Sequence, residues 1–421
     1  MGRWGTSRLA GLTIASARVI TVVGIGADGW DGMSEVGRAW VERARVVLGG
    51  RRHLDLLPDV PGQRREPWPS PLRDRLPALL ASLADEAAGG HVVALASGDP
   101  LVSGIATTFM DLLGPDEVTV VPGISSVALA RAAMRWSAES HAVVSVVGRD
   151  VALVRRELAP GRRILVLSSD EHTPRDVAAL LVAEGYGDSE LTVLGDLGGR
   201  EQSSFLFDKA VILTGKELDL PRLNVVAIDC VGPSLGGWVA GLPDDAFEHD
   251  GQLTKRDLRA SALARLSPTP GEHLWDVGAG AGSVGIEWMR AHPSCTTTAV
   301  EADADRAARI SRNATSLGVP GLEVVHGRAP GALAGLRPPD AIFVGGGATR
   351  DGVIDACLTA LRRAGRLVVH GVTLETEMLL GRLYREHGGE LTRVSVETSA
   401  PVGAFTGWTP ARTVTQWALT R

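Results

Sequence analysis

The sequence predicts an α/β protein in two consecutive parts, a two-lobed α/β segment followed by a Rossmann-like domain with a seven-stranded sheet. Three observations lead there. Short β-branched runs alternate with helix-length stretches, glycine-rich turns follow several of those runs, and one turn-rich interval divides the chain.

Composition sets the outer limits. With 421 residues, 44% hydrophobic and 22% charged, the chain can bury more than one core and lacks the signature of disorder. No apolar run approaches the roughly 18–20 residues that span a bilayer, so no membrane is expected. The 43 basic and 49 acidic residues leave a net charge of −6 without a block of like charge, which argues against nucleic acid as a partner. All basic residues are arginine except Lys209, Lys216 and Lys255, a bias whose first explanation is genomic base composition, though arginine also suits bidentate binding of a polycarboxylate. Cys230, Cys295 and Cys357 show neither a disulfide framework nor metal-ligand spacing, so no metal and a cytoplasmic setting are expected. Residues 1–18 form a leader: Leu9–Ala17 follows Arg3 and Arg8 and ends on Ala15-Ser16-Ala17, like a cleavage site, but it is short and broken by Gly11, Thr13 and Ser16.

In the first part, residues 19–232, strands are expected at Val19–Val23, Val92–Leu95, Val118–Val121, Val143–Val147, Ile164–Leu167, Leu191–Leu194 and Asn224–Ile228. They suggest lobes near 19–138 and 139–232. Residues 233–252, with Gly236-Gly237, Gly241, Pro243 and Asp244-Asp245, read as a linker. In the second part, residues 253–421, strands are expected at His273–Val277, Thr296–Val300, Leu322–Val325, Ala341–Val344, Arg366–Val369, Leu391–Val396 and Val414–Ala418. The first five suit a right-handed parallel sheet. The last two, joined by a loop at Glu397–Arg412, suit an antiparallel pair at a sheet edge.

The strongest local signal is Asp276-Val-Gly278-Ala-Gly280-Ala-Gly282 between a strand and the helical stretch Ser283–Ala291, with Glu301 ending the next strand. Glycines let the backbone approach a ligand, and a carboxylate at Glu301 can accept both hydroxyls of a ribose. Gly280-Ala-Gly282-Ser-Val-Gly285 also satisfies a dinucleotide fingerprint, so the motif alone leaves two cofactors open. Asp276 favours S-adenosylmethionine, because a carboxylate repels a pyrophosphate but can hold the cationic amino-acid end of a sulfonium cofactor. Gly345-Gly346-Gly347 follow the fourth strand where an amine-methylating enzyme would usually show Asn or Asp before Pro-Pro and an aromatic. They are either a loose turn or a place of close ligand approach, with Gly345 the candidate contact. Thr254 and Asp257 have capping-box spacing ahead of an apolar helix face at Leu258, Ala262 and Leu266. Lys255, Arg256 and Arg259 are then a solvated helix start or, since basic residues there oppose the macrodipole, a carboxylate-binding group that includes Thr254.

In the first part, three glycine turns follow three strands: Gly24-Ile-Gly26, then Gly98-Asp99-Pro100 through Ser103-Gly104, then Pro122-Gly123-Ile-Ser125-Ser126. In this order they resemble the tetrapyrrole methylase fold, whose turns wrap a folded S-adenosylmethionine. Trp136 through Gly148-Arg149 and Leu197-Gly198-Gly199-Arg200-Glu201 extend the likeness. Two departures stand out: Ala27-Asp28 replaces the usual Pro-Gly, and Val147 stands where the family often has histidine. No catalytic residue is assigned.

Fused to a class I methyltransferase segment, that fold is similar over residues 19–419 to the precorrin-6Y C5,15-methyltransferase (decarboxylating) family of cobalamin biosynthesis. The resemblance implies two S-adenosylmethionine sites per chain and a tetrapyrrole substrate. It also implies methylation at carbon 5 by the first part, and methylation at carbon 15 with decarboxylation by the second. A homo-oligomer is expected. Two other classes stay open here, an RNA methyltransferase and a non-catalytic module that responds to S-adenosylmethionine.

Overall fold

The computed structural model describes residues 20–83, 92–215, 218–234 and 237–421; the expected leader, Val19 and Gly236 lie outside them. The chain divides into two compact units. One runs to Arg149 and takes in Arg162–Ala179 and Gly187–Cys230; the other comprises Asp150–Gly161, Leu180–Tyr186 and Val231–Arg421.

The first unit holds two five-stranded sheets. β1 (Ile20–Ile25), β2 (Val46–Gly49), β3 (Arg64–Pro67), β4 (Val92–Ser97) and β5 (Val118–Val121) form a parallel sheet in the order β3-β2-β4-β1-β5. Its two faces are covered by separate apolar clusters, one around Phe109 and Leu76 and one around Met33 and Val41. β6 (His141–Ser145), β7 (Arg163–Leu167), β8 (Glu190–Gly195), β9 (Ser203–Phe207) and β10 (Asn224–Asp229) follow in the order β6-β7-β10-β8-β9, antiparallel except for β6 with β7. β2, β3 and β9 were absent from the sequence reading. Arg64-Arg65-Glu66-Pro67 carries no β-branched residue, and its strand character comes from pairing with β2 at the sheet edge.

The second unit is built on a seven-stranded sheet. Its members are β11 (His273–Val277), β12 (Thr296–Glu301), β13 (Glu323–His326), β14 (Ala341–Val344), β15 (Arg366–Gly371), β16 (Glu390–Val394) and, after the hairpin β17 (Glu397–Val402) and β18 (Phe405–Pro410), β19 (Val414–Thr420). The order is β13-β12-β11-β14-β15-β19-β16, with the first five parallel. Side chains alternate between two cores: Leu274 and Phe343 enter one, Trp275, Val277, Ile342 and Val344 the other. The final pair is antiparallel as expected, but β19 lies inside, between β15 and the edge strand β16. Glu397–Arg412, expected as a loop, instead contains the hairpin, whose Gly403 turns at a φ of 61°.

The helix Arg256–Leu266 starts differently from the expected capping box. Lys255 occupies the cap position and no side chain caps the helix. Its key residue is Arg259, which is fully buried. Arg259 Nε donates to Glu287 Oε1 at 2.6 Å, its Nη1 to the Thr254 carbonyl at 2.5 Å, and its Nη2 to the Leu242 carbonyl. The guanidinium also stacks over Phe247, 4.7 Å from the ring centre. Glu287 in turn accepts from the Gly241 and Leu242 amides at 2.6 and 2.9 Å. One buried ion pair thus ties residues 241–247, Thr254 and the helix Ser283–Ala291 together.

Removing the guanidinium would strand the Glu287 carboxylate and two carbonyls in a dry interior. Arg259→Leu is expected to cost about 3–5 kcal/mol, read in calorimetry as a fall of roughly 10 °C in the unfolding of the second unit. The transition of the first unit should stay in place; an unchanged second transition would contradict this role.

Candidate functional site

In the first unit, parallel register brings the three turns level: Gly24 pairs with Ala96, Ile25 with Ser97 and Val23 with Val121. The turns then close on one another through bare backbone. A Cβ on Gly24 would stand 2.1 Å from the Gly98 carbonyl oxygen and 2.4 Å from the Gly123 nitrogen, and one on Gly123 would stand 2.7 Å from that same oxygen. Gly98 itself has a φ of 59°, which favours glycine, and a Cβ there would lie 3.0 Å from the Ile124 carbonyl oxygen. Around this contact, Asp99 Oδ1 accepts from the Leu101 amide at 2.9 Å and Ser103 sits in the left-handed region at 53°. Pro100 is buried, and Pro122 is exposed. Ser125 caps the helix that begins at Ser126, its Oγ accepting from the Ala128 amide at 3.1 Å.

Gly26 opens a turn closed by the Gly29 amide at 3.2 Å from its carbonyl oxygen. The positive φ falls on Gly29, at 63°, which is how the chain accommodates Ala27-Asp28 in place of Pro-Gly. This turn packs against the Gly198-Gly199 turn, where a Cβ on Gly199 would lie 3.0 Å from the Ala27 Cβ. Beside them opens a cleft of about 660 Å³ lined by Asp28, Trp30, Arg52, Asp196 and Glu201.

In the second unit, a cleft of about 750 Å³ opens at the carboxyl ends of β11, β12, β14 and β15. Gly278, Gly280, Glu301 and Gly345 all line it, with Thr254 and Lys255. Gly278 and Gly346 meet backbone to backbone: a Cβ on Gly278 would stand 2.8 Å from the Gly346 carbonyl oxygen. The backbone after β14 therefore passes close to the turn after β11 at Gly346, and Gly345 to Gly347 line the cleft. Glu301 Oε2 accepts from the Gly280 amide at 2.8 Å and Oε1 from the Asp303 amide at 3.0 Å, which fixes the carboxylate while leaving lone pairs for a ligand.

Four expected contacts lie elsewhere. Asp276 is buried behind the turn, where its Oδ2 accepts from the Gly285 amide at 3.0 Å and its Oδ1 has no partner. Burial chiefly, and the Glu301 charge as well, push its carboxyl up to about 7 against the pull of that amide. It braces the turn from within. Gly282 opens the helix Ser283–Ala291 at a φ of 77° and gives room to Ile310, whose Cγ2 would lie 2.7 Å from a Cβ there. Arg256 is exposed beside Gly241, away from the cleft wall, and Arg259 is committed to its buried pair. Neither is placed to anchor a substrate.

In their stead the cleft presents Arg328, Arg350 and Arg412, exposed and with no carboxylate partner among the described residues. His370, near the end of β15, also lines it. Sequence reasoning missed all four because each comes from a different strand end or loop, and the glycines ahead of Arg350 drew attention to the backbone and not to the arginine. The one usable signal was position just beyond a predicted parallel strand. In both units, bare glycine backbone stands where side chains would otherwise fill the site, and Glu301 waits at the next strand end. The residues fit S-adenosylmethionine.

Two family models cover most of the chain: Tetrapyrrole (Corrin/Porphyrin) Methylases matches residues 19–208, and Precorrin methyltransferase domain matches residues 245–421. A precorrin-6Y C(5,15)-methyltransferase [decarboxylating] of Sinorhizobium sp is 44% identical over 405 residues, 96% of each chain. A cobalt-precorrin-7 C(5)-methyltransferase of Salmonella typhimurium is 34% identical over 42% of this chain and 84% of its own. A probable cobalt-precorrin-6B C(15)-methyltransferase (decarboxylating) of Saccharolobus solfataricus is 31% identical over 33% of this chain and 72% of its own. On a similarity that spans both units, with glycine turns intact in each, the chain belongs to the precorrin-6Y C(5,15)-methyltransferase (decarboxylating) family.

Proposed function

We propose that the chain methylates precorrin-6Y at carbons 5 and 15, using S-adenosylmethionine at one site in each unit, and removes carbon dioxide from the ring C acetate to give precorrin-8. The observation that carries this reading is the presence in one chain of two separate glycine-turn sites at strand ends. The first domain, residues 19–232, acts at carbon 5; the second, 253–421, acts at carbon 15 and decarboxylates. One relative named for carbon 5 alone and one named for carbon 15 with decarboxylation support this division. The relatives' names favour a corrin precursor over RNA. No helix among the described residues is long and apolar enough to cross a membrane. A cytoplasmic homo-oligomer belongs to the same proposal.

The cofactor supplies a sulfonium methyl, electrophilic enough that an electron-rich ring carbon attacks it without a strong base. The chain's own residues orient and exclude water. Gly278, Gly280 and Glu301 hold one partner at the strand ends, while Lys255, Arg328, Arg350 and Arg412 receive the carboxylates of the other. Loss of carbon dioxide breaks the bond from the acetate methylene to its carboxyl carbon and sends that pair into the conjugated imine of the macrocycle. A site that grips the other carboxylates and leaves this one poorly solvated favours that step.

Calorimetry on the whole chain is expected to find two cofactor sites. Gly24→Val should abolish one site and methylation at carbon 5. Glu301→Ala should weaken the other roughly 10–100-fold, the value of a hydrogen bond to a charged group, and should impair carbon 15. Mass spectrometry of precorrin-6Y incubations reads both, and a single site in a chain that performs both methylations would refute the assignment. Arg350→Ala and Arg412→Ala should each raise KM for the tetrapyrrole about 5–30-fold, as expected for a lost charge-assisted contact, with cofactor affinity unchanged. Unchanged KM in both variants would remove these residues from the substrate site.

A further inference from the structure

His370 and Gln416 face each other directly across the antiparallel pair of β15 and β19. Gln416 is buried and lies between the imidazole and Arg265. A guanidinium has donors only, so Gln416 must turn its carbonyl oxygen to Arg265, accepting from Nε at 2.9 Å and Nη1 at 3.2 Å. Its amide nitrogen then donates to His370 Nε2 at 2.9 Å. The opposite orientation would set an NH₂ group against a guanidinium. Arg265 is itself held by Glu390, its Nε donating to Oε2 at 3.0 Å.

The consequence is a defined tautomer. With Nε2 accepting, the ring proton sits on Nδ1. The ring is neutral: burial first, and the Arg265 charge as well, push its pKa down to about 4. A Gln416 oxygen in contact with Nε2 would oppose that shift, but the arginine fork excludes it. Phe343 holds the imidazole edge-on, with ring centres 5.0 Å apart. His370 lines the cleft, as do Gly345 and Arg412.

We infer that His370 is a fixed, neutral Nδ1–H donor to a carboxylate bound in the cleft of the second unit, with Gln416 and Arg265 as the residues that position it. This rests on the methyltransferase reading of that cleft. A neutral donor among cations has a use of its own. It orients a carboxylate without neutralising it, and a carboxylate about to leave as carbon dioxide is slowed by an ion pair that stabilises its charge before the bond breaks. Two ligands bring a carboxylate to this cleft, the amino-acid end of the cofactor and the tetrapyrrole, and the experiment separates them.

Histidine-selective ¹⁵N NMR of the full chain, with His370→Asn assigning the resonance, should show a protonated Nδ1 and an unprotonated Nε2 at neutral pH. Gln416→Glu, which places a carboxylate oxygen against Nε2, should move the proton there or charge the ring. A protonated Nε2 or an imidazolium in the unmodified chain would overturn the inference. In turnover, His370→Leu should lose at least tenfold in decarboxylation and methylation at carbon 15 while carbon 5 is methylated normally. His370→Asn, which keeps an N–H near the Nδ1 position, should recover part of the loss. A fall in cofactor affinity would identify the cofactor's carboxylate as the acceptor; a fall in kcat or a rise in KM for the tetrapyrrole alone would identify the substrate's. If neither moves, the donor role is wrong. A wild-type chain that binds cofactor yet leaves precorrin-6Y unchanged would overturn the functional reading and the donor role with it, while the spectra would still decide the tautomer.

Discussion

Contact between bare backbones at the carboxyl ends of parallel strands is the constraint on which both sites depend. Gly24, Gly98 and Gly123 in one unit, and Gly278 and Gly346 in the other, come so close that a single Cβ would collide with a carbonyl oxygen or an amide nitrogen. A turn of this kind offers amides and carbonyls to a ligand at fixed positions, with no side chain to reorganise. The parallel register puts the turns level, and the apolar clusters on each face of the sheets keep that register. What surrounds the glycines then sets the chemistry: Glu301 tied to Gly280 in one unit, and the helix capped by Ser125 in the other.

Arginine serves three different ends in the second unit. Arg259 is buried and donates from all three of its nitrogens, so it works as a strut that carries Thr254 to the rim of the cleft. Arg328, Arg350 and Arg412 stand exposed at the cleft and are the groups available to an anion. Arg265 does not line the cleft, yet its lack of any acceptor dictates which way Gln416 points and where the proton of His370 resides. A chain of net charge −6 can still present a cationic cleft, because Arg328, Arg350 and Arg412 gather there while carboxylates such as Glu287, Glu248 and Asp250 are paired with other arginines.

Acidic residues show the same separation of roles. Asp276 and Glu301 are both buried at adjacent strand ends, yet one faces back into the helix start and the other forward into the cleft. Spacing placed them in one motif. The register pairs Asp276 with Ala299, two residues before Glu301, so both start from one face of the sheet; what separates them is depth along the strands, Asp276 lying inside the end of β11 and Glu301 at the end of β12, a property of the folded sheet.

The sequence by itself determined the fold class, the mostly parallel seven-stranded sheet, the position of the glycine turns and the family, because these rest on local periodicity and on short contiguous motifs. Tertiary structure alone decided which members of each motif line the cleft. Lys255, Arg256 and Arg259 are neighbours in sequence, but one lines the cleft, one faces away and one is buried, since Lys255 is the extended cap residue and Arg256 and Arg259 follow on a helix that turns by about 100° per residue. It also decided the strands at Arg64–Pro67 and Ser203–Phe207 and the hairpin within Glu397–Arg412, whose conformation comes from pairing rather than propensity. His370 and Gln416 are 46 residues apart with no pattern between them, and only strand pairing across the sheet makes them partners. Chemistry carried by one segment is legible in that segment; chemistry shared across strands exists only once the sheet has formed.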